Sequence, residues 1–381
     1  MSKDTFLETL LDGAEVEWVA LGEICKPKRG KRLVKKQLQK TGSYAVYQNS
    51  MKPLGYYEES NVTAGTLFIV CAGAAGEIGY SIEPFWAADD VYYFESNELL
   101  NSKFLYHYLL TQRFKILSRV RRASIPRLSK ESFDKIQIPI PCPENPEKSL
   151  AIQAKIVRIL DVFTKLTAEL TAELIARKKQ YNYYRDQLLT FEEGEVEWKT
   201  LGKLAENFDS KRKPITSGSR EPGETPYYGA SGIVDYIKGF IFDGDYLLVS
   251  EDGANLIARS TPIAFSIHGK SWVNNHAHVL EFKTYAERKY VEYYLNSIDL
   301  TPYISGAAQP KLNKKNLNNI SISDPSFEEK KHIIAILDKF NTLTHSITEG
   351  LPREIELRQK QYEYYRDLLL NFPKPQTEVV T

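Results

Sequence analysis

The feature that most constrains this chain is that it is written twice. The pattern EVEWxxLG stands at residues 15–22 and again at 195–202, 180 positions on. "RILDVFTKLT" (158–167) returns as "AILDKFNTLT" (335–344), 177 on, and "RKKQYNYYRDQLLTF" (177–191) returns as "RQKQYEYYRDLLLNF" (358–372), 181 on. Fainter echoes lie between these blocks. "LFIVCAGA" from Leu67 answers "LLVSEDGA" from Leu247, and "ASIPRLSKESFDKIQIP" from Ala123 answers "AAQPKLNKKNLNNISIS" from Ala307. Self-similarity of this kind marks two copies of one folding unit, here a variable region of ~130 residues followed by a helical region of ~45. A chain of 381 residues is also too long for one ordinary core.

The helical regions carry an apolar stripe. In the first copy it runs through Ile156, Ile159, Phe163, Leu166, Leu170, Leu174, Arg177, Tyr181, Tyr184, Leu188 and Phe191. In the second it runs through Ile333, Ile336, Phe340, Leu343, Ile347, Leu351, Ile355, Arg358, Tyr362, Tyr365, Leu369 and Phe372. Steps of three and four alternate, which makes a seam against a partner helix, and an inserted four is a stutter that keeps the face while relaxing the supercoil. A helix of ~43 residues reaches ~65 Å. Leu351 lies between Gly350 and Pro352, which predicts a break there and a restart with proline in the first turn. The fold class expected is α+β (mixed α/β): two globular domains separated by a pair of long antiparallel coiled-coil helices, with pseudo-twofold symmetry. The expected boundaries are an N-terminal helix at 1–13, variable domains at 14–147 and 194–325, helical regions at 148–193 and 326–373, and a disordered tail at 374–381.

The variable regions alternate β-branched and aromatic runs with glycine-rich turns, as in "GTLFIVCAGAAGEIGYSI" and "DYLLVSEDGANLIARSTPIAFSI". Such runs read as strands. A helical segment follows in each, "SKFLYHYLLTQRFKIL" and "AERKYVEYYLNSI", and then a short strand. Motifs of catalysis are missing. "GAAGEIG" (73–79) lacks the strand–helix setting and downstream acid of a dinucleotide site. "HAH" (276–278) offers two imidazoles but no third ligand nearby, and so reads as ordinary polar residues. Asp89 and Asp90 lack the partner motif of a nuclease, and there is no Walker loop, no HExxH and no Asn-Pro-Pro-aromatic methyltransferase signature. Three scattered cysteines suggest neither a disulfide framework nor a zinc site. With no secretion-signal pattern at the start and no apolar run of ~20 residues, the expected place is the cytoplasm.

Charge points to binding. The net charge is only +1, but residues 26–40 hold eight basic side chains and no acid, and residues 111–130 hold seven and no acid. Local sign decides what a surface attracts. Both copies open with a basic loop soon after EVEW: Lys28, Arg29, Lys31 and Arg32 in the first, Lys211, Arg212 and Lys213 in the second. Both close with a Pro-Arg/Lys-Leu loop, which supplies Arg119, Arg121, Arg122 and Arg127 in the first and Gln309, Lys311 and Lys314 in the second. Lysine and arginine grip phosphates. Base edges call for Arg, Gln, Asn or Ser on a rigid frame, and the candidates are Gln48, Asn49 and Ser50, opposite Ala230 and Ser231 in the second copy.

The blocks "RKKQYNYYRDQLLTFEEGEVEWKTLG", "QAKIVRILDVFTKLTAELTAEL" and "EIELRQKQYEYYRDLLL" resemble the helical regions of type I restriction–modification specificity (S) subunits. The resemblance covers essentially the whole chain. It implies two target-recognition domains that together recognise an asymmetric bipartite double-stranded DNA site, one half per domain. It also implies two methyltransferase subunits as partners, motor–endonuclease subunits in the full complex, and no catalytic residues in this chain. S-adenosylmethionine, ATP and magnesium would be bound by those partners, with no cofactor, metal or membrane for this chain. Leu166, Leu170, Leu174, Tyr181, Tyr184, Leu343, Ile347, Tyr362 and Tyr365 would then form the spacer and docking seam. Two other readings stay open on the residues alone: a coiled-coil scaffold, and a fragment of a single-chain restriction–modification enzyme.

Overall fold

The computed structural model describes residues 3–306 and 309–374. The chain divides into two compact units, one of residues 1–170 with 355–381 and the other of residues 171–354. Residues 375–381 of the expected tail lie outside the described residues.

In the first unit the central strand is Thr66–Val70, buried at every position. "TLFIV" is apolar on both faces because both are covered, as in a strand at the middle of a packed layer. Leu67 and Ile69 enter one core with Phe94, Phe104, Leu105 and Ile138. Phe68 enters a second with Val62, Phe85 and Val91. The sheet order is Lys28–Arg29, Val91–Phe94, Thr66–Val70, Ile78–Ser81, all antiparallel. A smaller sheet pairs Tyr44–Tyr47 antiparallel with Gly55–Tyr57 and parallel with Trp86–Ala87. The EVEW segment becomes the strand Val16–Ala20, closed antiparallel by Gln137–Pro141. The helix Ser102–Thr111 begins where the Asn101 side chain accepts the backbone N–H groups of Lys103 and Phe104, which satisfies donors that the first turn leaves open.

The second unit repeats this plan with longer strands. Its sheet order is Glu206–Asn207, Ala277–Glu281, Phe242–Ser250, Ala264–Val273, Pro222–Gly229, Gly232–Ile237. Leu247, Leu248 and Val249 are fully buried. Glu197–Thr200 pairs with Ser321–Asp324, as the EVEW strand does in the first unit. The helix Tyr285–Ser297 opens with a capping box between Thr284 and Glu287.

The first helical region is one helix of 44 residues, Pro146–Leu189. The second is two helices, Phe327–His345 and Gly350–Leu369. The break expected around Leu351 therefore exists, but it opens earlier, at residues 346–349. The Ser346 hydroxyl accepts the N–H groups of Thr348 and Glu349 and turns the chain out of the helix. Gly350 has φ +73°, and a Cβ there would stand 2.4 Å from the Thr342 carbonyl oxygen, so only glycine fits the return. This corrects one seam residue. Ile347 lies in the loop between the helices and is 80% exposed.

Each unit draws on both helical regions. In the first, Ile152, Ile156 and Leu160 share a core with Tyr362, Leu369 and Phe372, and Phe163 stacks on Tyr365 at 5.0 Å. In the second, Ile333 and Leu337 share a core with Tyr181 and Leu189, and Phe340 stacks on Tyr184 at 5.7 Å. There the order of contacts reverses along the chain, Tyr181 meeting His345 and Tyr184 meeting Phe340, as in an antiparallel pair. Leu166, Leu170, Leu174 and Leu343 are half-buried.

Candidate nucleic-acid interface

In the first unit four stretches converge where the central strand ends. The Cys71 N–H donates to the Asp90 carbonyl at 2.7 Å, and the Leu128 N–H donates to the Cys71 carbonyl at 2.8 Å. The Gly73 N–H donates to Pro126 at 3.2 Å and the Ala74 N–H to Asn49 at 2.9 Å. Gly73 takes φ +76°, and a Cβ there would lie 2.7 Å from the Asn49 carbonyl oxygen, so the close approach requires glycine. Arg121 and Arg127 exchange both backbone hydrogen bonds, and Ser50 closes its turn by donating to the Lys52 carbonyl. The Trp86 indole N–H donates to the Lys31 carbonyl at 2.8 Å, pinning the basic loop beside the others. Asn49, Ala72, Gly73, Asp90, Ser124, Ile125, Pro126 and Arg127 from the four stretches line a cleft of about 240 Å³.

The second unit builds the same frame from different residues. The Glu251 N–H donates to the His276 carbonyl (2.8 Å), Leu312 to Glu251 (2.7 Å) and Gly253 to Pro310 (3.1 Å), while Ser305 and Lys311 exchange both bonds. The Trp272 indole donates to the Lys213 carbonyl at 2.7 Å. Hydrogen bond for hydrogen bond, Cys71 corresponds to Glu251, Ala72 to Asp252, Asp90 to His276, Arg121 to Ser305, Arg127 to Lys311 and Lys31 to Lys213.

What lies beneath the frame differs. Cys71 is a buried thiol whose pKa is pushed up to about 11 by burial and then by Asp90, against the pull of Arg29 and Arg127. Glu251 is a carboxylate bonded by Arg212 Nη1 at 2.6 Å and by Lys311 Nζ at 3.1 Å. His278 faces Asp209 through Nδ1 at 2.6 Å and the Leu312 carbonyl through Nε2 at 2.7 Å. Burial opposes the charge on Asp209 and on Glu251, but His278, Arg212 and, for Glu251, Lys311 outweigh it and hold both carboxyls below their usual range. Asp209, Glu251 and His278 come close enough together to form a metal-type donor set. Sequence reading found no third ligand beside "HAH"; folding supplies two carboxylates to His278 and sends His276 elsewhere, to Asp252 at 2.9 Å. The Arg212 guanidinium bridges the two carboxylates, so protein charge already neutralises the set.

A model of the "Type I restriction modification DNA specificity domain" matches residues 14–178 and 193–357. The chain is 37% identical to a type I restriction enzyme specificity subunit of Escherichia coli, with 99% of each chain covered. It is 34% identical to a putative type I restriction enzyme specificity subunit of Haemophilus influenzae, covering 97% of this chain and 98% of that one. This chain belongs to the type I restriction–modification specificity subunits. Its fold is similar to the crystal structure of a type I restriction–modification S subunit from M. genitalium, with TM-score 0.66 and 18% identity over 95% of this chain and 98% of that one.

In this specificity subunit the candidate residues fall into three groups. Asn49 and Arg127 meet in the cleft. Lys31, Arg32, Arg121, Arg122, Lys213, Ser231, Gln309 and Lys314 are exposed around the two frames. The lysines and arginines among them have no ion pair or side-chain hydrogen bond among the described residues. Others are partly engaged: Lys28 pairs with Glu95, Arg29 donates to the Asp89 carbonyl at 2.7 Å, and Lys211 sits 4.2 Å over the Phe208 ring. Such exposed ion pairs are weak and leave the charge usable. Gln48 and Ser50 are half-buried beside Asn49. Two expectations need correcting. Arg212 is turned inward and spent on Asp209, Glu251 and the Ala277 carbonyl, and Arg119 bonds the Ser132 carbonyl. Sequence reading considered Asp90 and His276 only for catalysis or metal binding and set them aside, and it missed the two tryptophans. The available signal was the spacing: Trp86 precedes Asp90, and Trp272 precedes His276, by the same four residues.

Proposed function

We propose that each unit's frame is a reading head for one half of an asymmetric bipartite double-stranded DNA site. One observation carries this reading: two frames with the same backbone hydrogen bonds present different side chains, with exposed lysines and arginines around each. Phosphate contacts by Lys31, Arg32, Arg122, Lys213 and Lys314 would position the duplex, while Asn49, Arg127 and their counterparts would meet base edges. The recognition domains would span residues 14–147 and 194–325. The helical regions would dock two methyltransferase subunits, with motor–endonuclease subunits added in the full complex, and those partners would bind S-adenosylmethionine, ATP and magnesium. Each "TAEL" unit, residues 167–170 and 171–174, would set the spacer, since one turn adds ~6 Å or one to two base pairs.

The deciding experiment is to exchange residues 26–140 for another recognition domain and sequence the modified adenines. One half-site is expected to change and the other to stay. Changes in both would refute the division of labour, and retention on random duplex without any salt dependence would favour a scaffold.

A further inference from the structure

Asp90 is out of place on a surface that attracts phosphate. It lines the cleft of the first unit together with Asn49 and Arg127, half-buried. Its carboxylate has no hydrogen bond or ion pair among the described residues, although Arg127 lines the same cleft. Its backbone, by contrast, is pinned: the carbonyl accepts from Cys71 N–H. The same pin in the second unit holds His276, so the frame keeps the position and changes the side chain.

A carboxylate repels phosphate and accepts no bond from the carbonyl or ring-nitrogen acceptors of bases. What it does accept is an N–H from an exocyclic amino group, N4 of cytosine or N6 of adenine. Placed beside an arginine that donates to acceptors, it would reject the bases that the arginine favours. We infer that Asp90 is a specificity-determining residue that accepts a hydrogen bond from the exocyclic amine of one base in the first half-site, and that His276 holds the corresponding place for the second. This rests on the DNA reading above and adds to it the functional group that is read.

The test uses the full chain assembled with its methyltransferase subunits and a site mapped from modified adenines. Each adenine of the first half-site is replaced singly by purine, which lacks the N6 amine, and each cytosine by 2-pyrimidinone, which lacks the N4 amine. One such replacement is expected to weaken wild-type binding about tenfold, and its identity tells adenine from cytosine. In Asp90→Ala the same replacement should change affinity by no more than about twofold. Asp90→Asn, which keeps the shape but adds a donor, should shift the preferred base at that position alone. An unchanged preference at the second half-site shows that either variant is folded. Full sensitivity to every amine deletion in Asp90→Ala would overturn the inference while leaving the DNA reading intact. A wild-type complex with no sequence preference would overturn both.

Discussion

The two frames share a pattern of backbone hydrogen bonds and differ in how they treat charge. Beneath the first is a neutral thiol, Cys71, and the side chains above it, Asn49, Asp90 and Arg127, are left free for a ligand. Beneath the second is a saturated network in which Glu251, Asp209, His278, Arg212 and Lys311 satisfy one another. A duplicated frame can thus be kept while its reading groups diverge, because backbone hydrogen bonds set the frame and do not depend on side-chain identity. The cost falls on the second unit, whose buried charges are stable only as a complete set.

The sharpest way to break that contrast is to remove one member of the network. Arg212→Ala would strand two carboxylates with low exposure and is expected to destabilise the second unit by about 3 kcal/mol. Arg32→Ala, at an exposed arginine in the basic loop of the first copy, should change stability by less than about 0.5 kcal/mol and lower the salt slope of DNA binding by about 0.9. Urea unfolding of the two variants, with a salt titration of the second, checks both. Equal losses of stability would mean that the two frames do not treat charge differently.

Acid should separate the units next. His107 is fully buried in the first unit, and burial holds its pKa below the ordinary 6.5 in spite of Asp161. The unfolded chain therefore takes the proton first, so stability present above pH 6.5 is lost as pH falls through that window. Asp209 and Glu251 are held below their ordinary 3.8 and 4.5, so their contribution stays until pH falls below those values. His345 in the second unit is also lowered, by burial and Lys178, but its exposure makes its share small. Hydrogen exchange, corrected for intrinsic rates, should show the helix Ser102–Thr111 opening more readily at pH 5.5 than at pH 7. His107→Asn should abolish the difference.

The smallest effect concerns what the clefts have in common. Trp86→Phe and Trp272→Phe each remove one indole N–H to a loop carbonyl and should each cost about 1 kcal/mol. Each should loosen only its own basic loop, Lys31 or Lys213, and so lower affinity without changing which bases are preferred. A large effect from one tryptophan and none from the other would show that the frames are not equivalent.

How legible all this was depended on range. The repeat, the helical seam, the glycine–proline break and the basic loops were local patterns, and they identified the family and the stretches around both frames. Asn49 and Arg127 were named separately from composition and loop position, but nothing local said they would meet around Asp90. Arg212 and Lys213 are neighbours in a basic run, yet one is half-buried and held in a charge network and the other is exposed. That choice depends on carboxylates at residues 209 and 251 and on a histidine at 278, brought together only by strand pairing.

The sequence by itself determined that the chain is a duplicated unit with an amphipathic helical seam, because periodicity and repeat spacing are carried by residues close along the chain. Only tertiary structure decided which charged side chains remain free to meet a ligand. A charge is free or spent according to its neighbours in space, and Glu251, which binds both Arg212 and Lys311, lies tens of residues from either along the chain.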